Sequence, residues 1–271
     1  MLLKETSNNE TYETRFKNIL KIMSSSTLVK NEVIKNHDNN LWWPLYIKDW
    51  KIRFIVAGLS TRVSYNCIET YKSVIKDLSN YKYEEIKKMS DDNLIKIISR
   101  LGLSNTRLKY IRSAINFIDN YSEQIFSKSN NELIELIQNN VNGASYKVAQ
   151  CCVLYIRGYY TGIMPVDRGI KDVFAPCIGF EHYKKAIGHD ILRKNFEYLI
   201  KKLNLDDLID DDYSKLKLPE NKPLTWWSHL VMIYYKRIYC NKKNPKLCEL
   251  NKNGILLKKC CLNSKKKTKK G

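Results

Sequence analysis

The sequence predicts an all-α fold. The spacing of its apolar residues indicates the helices, its length limits the number of domains, and its charge indicates the kind of partner. Apolar residues recur at helical spacing through most of the chain, whereas strand-like alternation is scarce. The 271 residues are enough for one large domain or two small ones. Lys and Arg total 47 against 28 Asp and Glu, a formal charge of +19. Such an excess favours a polyanionic partner, most often nucleic acid and sometimes an anionic membrane.

The sequence carries no signal for a membrane or a secretory route. No apolar run reaches the ~18 residues of a membrane span, and the first residues contain no apolar core of a signal peptide. We therefore expect an intracellular protein, in the cytoplasm or nucleoid, or in the nucleus if the source is eukaryotic. Its eight cysteines are then expected to be free thiols or metal ligands rather than disulfides.

The first half of the chain contains several segments with helical spacing. Residues 48–71 follow this pattern, with a break near Gly58. Ser90 is placed to cap a helix that runs to Arg100, and residues 105–119 carry an apolar stripe. These segments predict a helical core before residue 120.

A pair of helices around Gly143 is the most informative part of the sequence. Ser129 and Glu132 have the spacing of a capping box, which opens a short helix that ends near Asn140. After the glycine turn, residues 147–157 are apolar almost all round, so we expect this helix to be buried. Further helices are predicted at 182–203 and 225–239, with an acidic loop at 206–223.

The segment around Gly143 reads as a helix-hairpin-helix. Glycine allows backbone conformations closed to other residues, and the start of the next helix points free N–H groups at a phosphate. Lys147 lies on the first turn of that helix, and Asp167 follows twenty residues later. An amine and a carboxylate beside a phosphate-binding turn are what removal of a DNA base through a covalent intermediate requires.

At this point the chain resembles the helix-hairpin-helix DNA glycosylase superfamily, in particular endonuclease III and the 8-oxoguanine glycosylases. The resemblance covers residues 42–248. The family hairpin Leu-Pro-Gly-Val-Gly-x-Lys and the later Val-Asp-Thr-His correspond here to Val141-Asn142-Gly143-Ala144-Ser145-Tyr146-Lys147 and Val166-Asp167-Arg168-Gly169. The lysine and the aspartate match, whereas Asn142, Ser145 and Gly169 replace the proline, the second glycine and the histidine.

Three further segments carry the resemblance. Residues 58–62 resemble a Leu-Ser-Ala-Gln segment whose glutamine helps to fill the gap left by a flipped base, and Arg62 takes that place. Residues 102–107 resemble a Gly-Leu-Tyr-Asn-Ser-Lys loop, which makes Leu103 a wedge candidate and adds Ser104 and Asn105 to the DNA-binding residues. Residues 235–240 resemble the run that leads into an iron–sulfur loop.

The resemblance implies a two-lobed helix-hairpin-helix glycosylase fold with a DNA cleft between the lobes. One lobe would comprise residues 42–160 with the hairpin, and the other residues 1–41 plus 161–250. Residues 251–271 would form a basic, disordered tail. Lys147 and Asp167 would then face each other across the lobe junction. Two structural alternatives stay open, since Lys147 could contact a phosphate only and Asp167 could cap the next helix.

The implied activity is that of a bifunctional DNA glycosylase and AP lyase in base-excision repair, acting on double-stranded DNA as a monomer. Lys147 would attack C1′ of a flipped nucleotide and form a Schiff base, Asp167 would assist, and β-elimination would cut the strand. The resemblance favours an oxidised base. Alternatives are a glycosylase for a modified, mismatched or undamaged base, in demethylation or restriction, and a non-catalytic DNA-binding module.

The cysteines do not follow the family's cluster spacing. Endonuclease III uses Cys-x6-Cys-x2-Cys-x5-Cys, whereas Cys240 and Cys248 here have seven residues between them and Cys260 and Cys261 are adjacent. We therefore expect no 4Fe-4S cluster and no metal, with these four residues as degenerate ligands if a cluster does assemble. Catalysis requires no cofactor. Cys151, one turn after Lys147, is the candidate for the substrate pocket, with a buried apolar role as the alternative.

Overall fold

The computed structural model describes residues 11–40, 42–44, 46–240 and 245–255, and these residues form helices and turns without a strand. The predicted all-α fold is confirmed. The α-helices are α1 Tyr12–Ser24, α2 Thr27–His37, α3 Trp50–Leu59, α4 Ile68–Ser79, α5 Tyr83–Lys88, α6 Asp91–Ile98, α7 Ser104–Ser127, α8 Asn130–Asn140, α9 Tyr146–Arg157, α10 Ala175–Cys177, α11 Gly188–Lys202, α12 Thr225–Tyr235 and α13 Glu249–Lys252. Short 3-10 turns lie at Tyr65–Cys67, Ser99–Leu101, Tyr159–Thr161, Asp206–Leu208, Tyr213–Lys215 and Pro245–Leu247, and π-helical turns at Ile170–Phe174 and Lys236–Cys240.

The chain divides into two compact units. The inserted unit is Asn39–Ile163, and the terminal unit is Met1–Asp38 together with Met164–Gly271. The corresponding boundaries expected from the sequence were 42 and 160. Helices α3 to α9 belong to the inserted unit, so the hairpin and Lys147 lie there, whereas Asp167 belongs to the terminal unit.

The inserted unit is built around α9. Every residue from Val148 to Ile156 is buried, and α9 packs against α3 and α8. This confirms the prediction that the helix after the hairpin is buried. A fully buried aliphatic side chain stabilises the fold by about 1.5 to 3 kcal/mol. The many buried side chains of α9 therefore give Lys147 a rigid support.

The caps predicted for two helices are present. Oγ of Ser129 accepts a hydrogen bond from N of Glu132 at 3.3 Å, and Oε2 of Glu132 accepts one from N of Ser129 at 2.8 Å. This is the expected capping box at the start of α8. Oγ of Ser90 accepts from N of Asn93 at 3.4 Å at the start of α6. That helix ends at Ile98 rather than at Arg100, and a 3-10 turn follows it.

The structure corrects the bounds of the other predicted helices. The segment 48–71 forms two helices, α3 and α4, and α7 extends eight residues beyond the expected end at 119 because its later turns bury Ile125 and stack Tyr121 on Phe117. The helix expected from residue 182 begins at Gly188, since Nζ of Lys171 donates to the carbonyl of Tyr183 at 2.6 Å and holds the preceding segment in a turn. The α-helix expected to reach 239 ends at Tyr235.

The terminal unit is built around α12, which is buried on nearly every side and packs against α1, α2 and α11. Nε1 of Trp226 donates to the carbonyl of His37 at 3.2 Å, which ties α12 to the end of α2. On another side of this unit, Phe16 stacks on Phe196 with ring centroids 5.8 Å apart. Residues far apart in the sequence therefore share this core.

The first residues of the predicted tail are ordered. Asn251 and Lys252 complete α13, and N of Ile255 donates to the carbonyl of Leu250 at 3.1 Å. The tail therefore does not begin at 251, and the rest of it lies outside the described residues. Within the described ranges, none of the helices combines the length and the apolar character that crossing a membrane requires.

Candidate functional site

The hairpin between α8 and α9 has the geometry that its glycine predicts. Gly143 has a φ of +83°, in the left-handed region that residues with a Cβ rarely adopt. N of Ala144 donates to the carbonyl of Val141 at 3.0 Å and closes the turn. The hairpin is therefore a tight turn whose conformation depends on one glycine.

The structure accommodates Asn142 and Ser145, which replace the proline and the second glycine of the family hairpin. N of Asn142 donates to Oγ of Ser113 at 2.8 Å, a bond to α7 that a proline at 142 could not make. Ser145 has φ −69° and ψ 169°, which is extended backbone open to any residue. The hairpin thus needs neither the proline nor the second glycine.

The start of α9 presents free backbone amides. Within the described part of the chain, N of Ser145, Tyr146 and Lys147 has no acceptor, as expected for the first turn of a helix. Gly143 and Ser145 are exposed, whereas the side chain of Ala144 is buried and its amide is already bonded. An open groove of about 510 Å³ lies against the turn, lined by Ser113 and residues 138–145. This arrangement can bind an anion.

Lys147 lies half-buried on the first turn of α9. Its Nζ donates to Oγ of Ser60 at 3.4 Å, and Oγ of Ser60 donates in turn to the carbonyl of Ala57 at 2.9 Å. Ser60 follows the last residue of α3. The amine is therefore held at the end of α3, beside the segment 58–62 that the sequence marked as DNA-binding.

Cys151 is buried one turn after Lys147, with 6% of its surface exposed. It lies within electrostatic range of Tyr71 and Tyr155, whose hydroxyls donate to the carbonyl of Trp42 at 3.2 Å and 2.6 Å. Burial raises the pKa of both phenols, so they stay neutral. Cys151 thus borders an uncharged aromatic cluster.

The thiol of Cys152, the residue after Cys151, lies in the interior of the protein. Cys152 is fully buried, its Sγ lies 3.5 Å from the hydroxyl of Tyr110, and burial raises its pKa to about 12. A thiol with that pKa remains protonated at neutral pH and is a poor nucleophile. Cys152 is therefore a core residue.

Asp167 caps the helical turn that follows it. Its Oδ1 accepts a hydrogen bond from N of Ile170 at 2.7 Å, and its carbonyl accepts one from N of Lys171 at 2.9 Å. The capping role that was an alternative for Asp167 is therefore present. The same bond fixes the carboxylate, and Oδ2 has no hydrogen-bond partner among the described residues, so capping and chemistry are compatible.

Two residues near Asp167 gave no signal in the sequence. Nδ1 of His189 donates to the carbonyl of Val166 at 2.6 Å, and burial lowers the pKa of this imidazole, so it stays neutral. The ammonium of Lys236 packs against Gly169, where the family has histidine. His189 and Lys236 come from later segments, and no spacing rule links them to Asp167.

Arg62 and Leu103, expected to insert into DNA, share an uncommon backbone. Their φ angles are 58° and 55°, and Asn221 is the only other non-glycine residue with positive φ in the described ranges. Both side chains are exposed, Leu103 by 47%. Of the other expected DNA-binding residues, Ser104 is the first residue of α7 and Asn105 is exposed. Strained residues of this kind concentrate at functional sites.

The cysteines of the described ranges do not form a metal site. Cys240 ends a π-helical turn, and Sγ of Cys248 is buried 3.4 Å from the hydroxyl of Tyr235. No group of three or more His, Cys, Asp or Glu in these ranges is arranged to hold a metal. A cluster needs four thiolates, so these two residues alone do not fit one. Cys260 and Cys261 lie outside the described residues.

The hairpin, its buried second helix and the all-α units define the class: the fold is that of the helix-hairpin-helix DNA glycosylases. A search of protein-family models found no match to the sequence, and neither did a search of curated proteins. Among solved structures, the chain is similar to H. pylori 3-methyladenine DNA glycosylase (MagIII) bound to 1,N6-ethenoadenine, with a TM-score of 0.54, 18% identity, and coverage of 82% of this chain and 97% of that one. A structure of MBOgg1 in complex with a low affinity DNA ligand gives a TM-score of 0.46 and 19% identity, over 82% of this chain and 70% of that one.

Proposed function

We propose that this protein is a bifunctional DNA glycosylase and AP lyase that acts on double-stranded DNA as a monomer. The observation that carries the proposal is the placement of one amine. Nζ of Lys147 lies at the start of a buried helix, 3.4 Å from Oγ of Ser60, next to backbone amides free to bind a phosphate. An amine so placed can reach a sugar whose phosphate the hairpin holds.

The proposed reaction begins with extrusion of the target nucleotide, because a stacked base is out of reach. The unprotonated amine of Lys147 attacks C1′, the bond from C1′ to the base nitrogen breaks, and the base leaves with a proton. Opening of the sugar ring gives a Schiff base. Loss of a proton from C2′ and cleavage of the C3′–O bond then cut the strand.

Asp167 assists this reaction in two ways. Its carboxylate accepts the proton that the lysine ammonium must lose before attack and passes that proton to the departing base. Ionised again, the carboxylate stabilises the positive charge that develops on the sugar. The bond from N of Ile170 fixes Oδ1, which supports a fixed orientation of the carboxylate. The mechanism calls on no metal or organic cofactor.

We propose an oxidised base as the substrate. The resemblance to endonuclease III favours an oxidised pyrimidine, and the helix that carries Lys147 and Cys151 favours 8-oxoguanine. The phenols of Tyr71 and Tyr155 near Cys151 stay neutral, which supports an uncharged base as the substrate.

A second candidate substrate is an alkylated purine. The observation that favours it is the similarity of fold to a 3-methyladenine DNA glycosylase at a TM-score of 0.54. Excision of a mismatched, modified or undamaged base, in demethylation or restriction, and DNA binding without catalysis are the remaining alternatives.

A substrate panel separates these functions. Duplexes that each carry one 8-oxoguanine, thymine glycol, 1,N6-ethenoadenine, 5-methylcytosine or G·T mismatch are incubated with the protein and analysed with and without alkali. We expect strand cleavage without alkali for an oxidised base. Cleavage only after alkali shows a glycosylase without lyase action. Tight binding with no cleavage of any duplex shows a binding module.

The nucleophile is identified by borohydride trapping of the Schiff base. We expect Lys147→Gln to abolish the trapped adduct, because glutamine keeps the length and loses the amine. Lys88→Gln, which changes an exposed lysine on α5 of the same unit, is the matched control and should trap as the wild type does. Asp167→Asn should slow trapping without abolishing it. An undiminished adduct with Lys147→Gln means that another amine attacks.

A further inference from the structure

The two residues proposed to enter DNA lie on short loops with left-handed backbone. Arg62 lies in the Arg62 loop, residues 59–63, and Leu103 lies in the Leu103 loop, residues 101–103. Neither residue is a glycine, so each loop holds a conformation that an L-residue seldom adopts unaided. Such a conformation persists only where surrounding contacts determine it.

One side chain supplies contacts to both loops. Arg107, on the second turn of α7, is 4% exposed, and its guanidinium donates four hydrogen bonds to backbone carbonyls. In the Arg62 loop it bonds Leu59 at 2.7 Å and Thr61 at 3.0 Å. In the Leu103 loop it bonds Gly102 at 2.8 Å and Leu101 at 3.2 Å.

Two of the four acceptor carbonyls lie directly before the two left-handed residues. The carbonyl of Thr61 immediately precedes Arg62, and the carbonyl of Gly102 immediately precedes Leu103. All four acceptors are neutral carbonyls, and burial lowers the pKa of the guanidinium. A planar fork with five donors can span two loops, whereas the ammonium of a lysine presents its three donors from a single atom.

We propose that Arg107 is a positioning residue that fixes the Arg62 and Leu103 loops relative to each other, so that both side chains enter the duplex together when a nucleotide is extruded. This inference rests on the proposed function. Its consequence is specific to base-paired DNA, because a base that is already unstacked needs neither a wedge nor a gap filler.

The test compares Arg107→Lys with Arg157→Lys. Arg157 is the matched control, since it is in the same unit and its guanidinium likewise joins separate segments, through the carbonyls of Ile125 and Lys128 and Oδ1 of Asn130. Single-turnover excision is measured on a duplex and on a single strand with the same damaged base. We expect Arg107→Lys to slow duplex excision about 10- to 100-fold and to leave single-strand excision within about twofold. Arg157→Lys should change the two rates equally.

Two outcomes overturn the proposal: equal slowing of both substrates by Arg107→Lys, or no slowing of duplex excision in a folded variant. Fluorescence of 2-aminopurine placed beside the damaged base of the duplex reports the unstacking that accompanies extrusion before excision, so it tests Arg107 even if the proposed chemistry fails. There we expect a smaller fluorescence rise on binding with Arg107→Lys than with the wild type, and an equal rise contradicts the inference.

A measurement on the wild-type protein covers the case in which Arg107→Lys does not fold. If one guanidinium holds both loops, the amides of residues 60–63 and 101–103 should open together in hydrogen exchange. We expect a common opening free energy for the two loops at increasing denaturant. Two loops that open independently overturn the proposal.

Discussion

The ammonium of Lys236 occupies the space where a side chain at Gly169 would stand. A Cβ at position 169 would collide with Nζ and Cε of Lys236 and would lie 3.3 Å from Oδ1 of Asp167. The backbone itself does not require glycine there, since Gly169 has φ −69° and ψ −38°. The replacement of the family histidine by glycine is thus coupled to a lysine far along the chain.

This relationship predicts a compensating pair of substitutions. Gly169→His should destabilise the protein by less than about 1 kcal/mol, because the imidazole displaces only the flexible end of the half-buried Lys236 side chain. In a Lys236→Ala background the same change should cost almost nothing. Denaturant unfolding of the four proteins gives the coupling energy. A coupling near zero would show that Lys236 does not limit position 169.

The hairpin glycine gives a second prediction. Gly143→Ala should destabilise the protein by about 1 to 2 kcal/mol, because a φ of +83° strains any residue with a Cβ. Space is not the cause, since the nearest atom to a Cβ there is Cβ of Tyr110 at 3.8 Å. The variant should also bind duplex DNA several-fold more weakly, measured by fluorescence anisotropy at constant salt. Ser145→Ala, in extended backbone, is the control and should fold like the wild type.

The contact between Lys147 and Ser60 gives a third prediction. Ser60→Ala removes the hydroxyl that accepts a hydrogen bond from the amine and should slow borohydride trapping about three- to tenfold, because the amine loses its orientation. Stability should change by less than about 1 kcal/mol. Ser99→Ala is the matched control, since Oγ of Ser99 makes the same kind of bond to the carbonyl three residues earlier, at 3.2 Å. Equal effects of the two variants would remove Ser60 from the site.

Glu197 gives a prediction about pH. Burial raises the pKa of this carboxyl from 4.5 to about 7, and Arg193, whose Nη1 donates to Oε2 at 2.6 Å, opposes the shift without cancelling it. A raised carboxyl pKa means that the folded state binds the proton more tightly. The contribution to stability is therefore full below pH 4.5 and is lost as pH rises from 4.5 to about 7.

The measurement is the free energy of unfolding of the wild type and Glu197→Gln between pH 4.5 and 8. Relative to Glu197→Gln, the wild type should lose about 1 to 3 kcal/mol over the interval up to about pH 7 and no more above it. Parallel curves for the two proteins would mean that Glu197 titrates alike in the folded and unfolded states.

Features set by neighbours in the sequence were predictable. The capping box of Ser129 and Glu132, the turn at Gly143 and the buried helix after it each depend on residues within about one or two helical turns. For the same reason Asp167 could be foreseen as a cap, because it bonds an amide only three residues on.

Features set by distant segments were not predictable. The start of α11 depends on the bond from Lys171 to Tyr183, and the environment of Asp167 depends on His189 and Lys236. The sequence placed Arg107 in a motif but did not predict its bridging role. Its acceptors lie both close to it in the chain and almost fifty residues earlier. A side chain that bridges loops leaves no periodic pattern.

The interruption of the terminal unit by the inserted unit has a consequence for folding on the ribosome. The bond from Trp226 to His37 joins residues 189 positions apart, so α2 must wait for α12 to be synthesised. All the contacts within the inserted unit are complete once Ile163 has emerged. We therefore expect it to reach its native form first, while α1 and α2 remain exposed to chaperones and proteases until α12 has emerged.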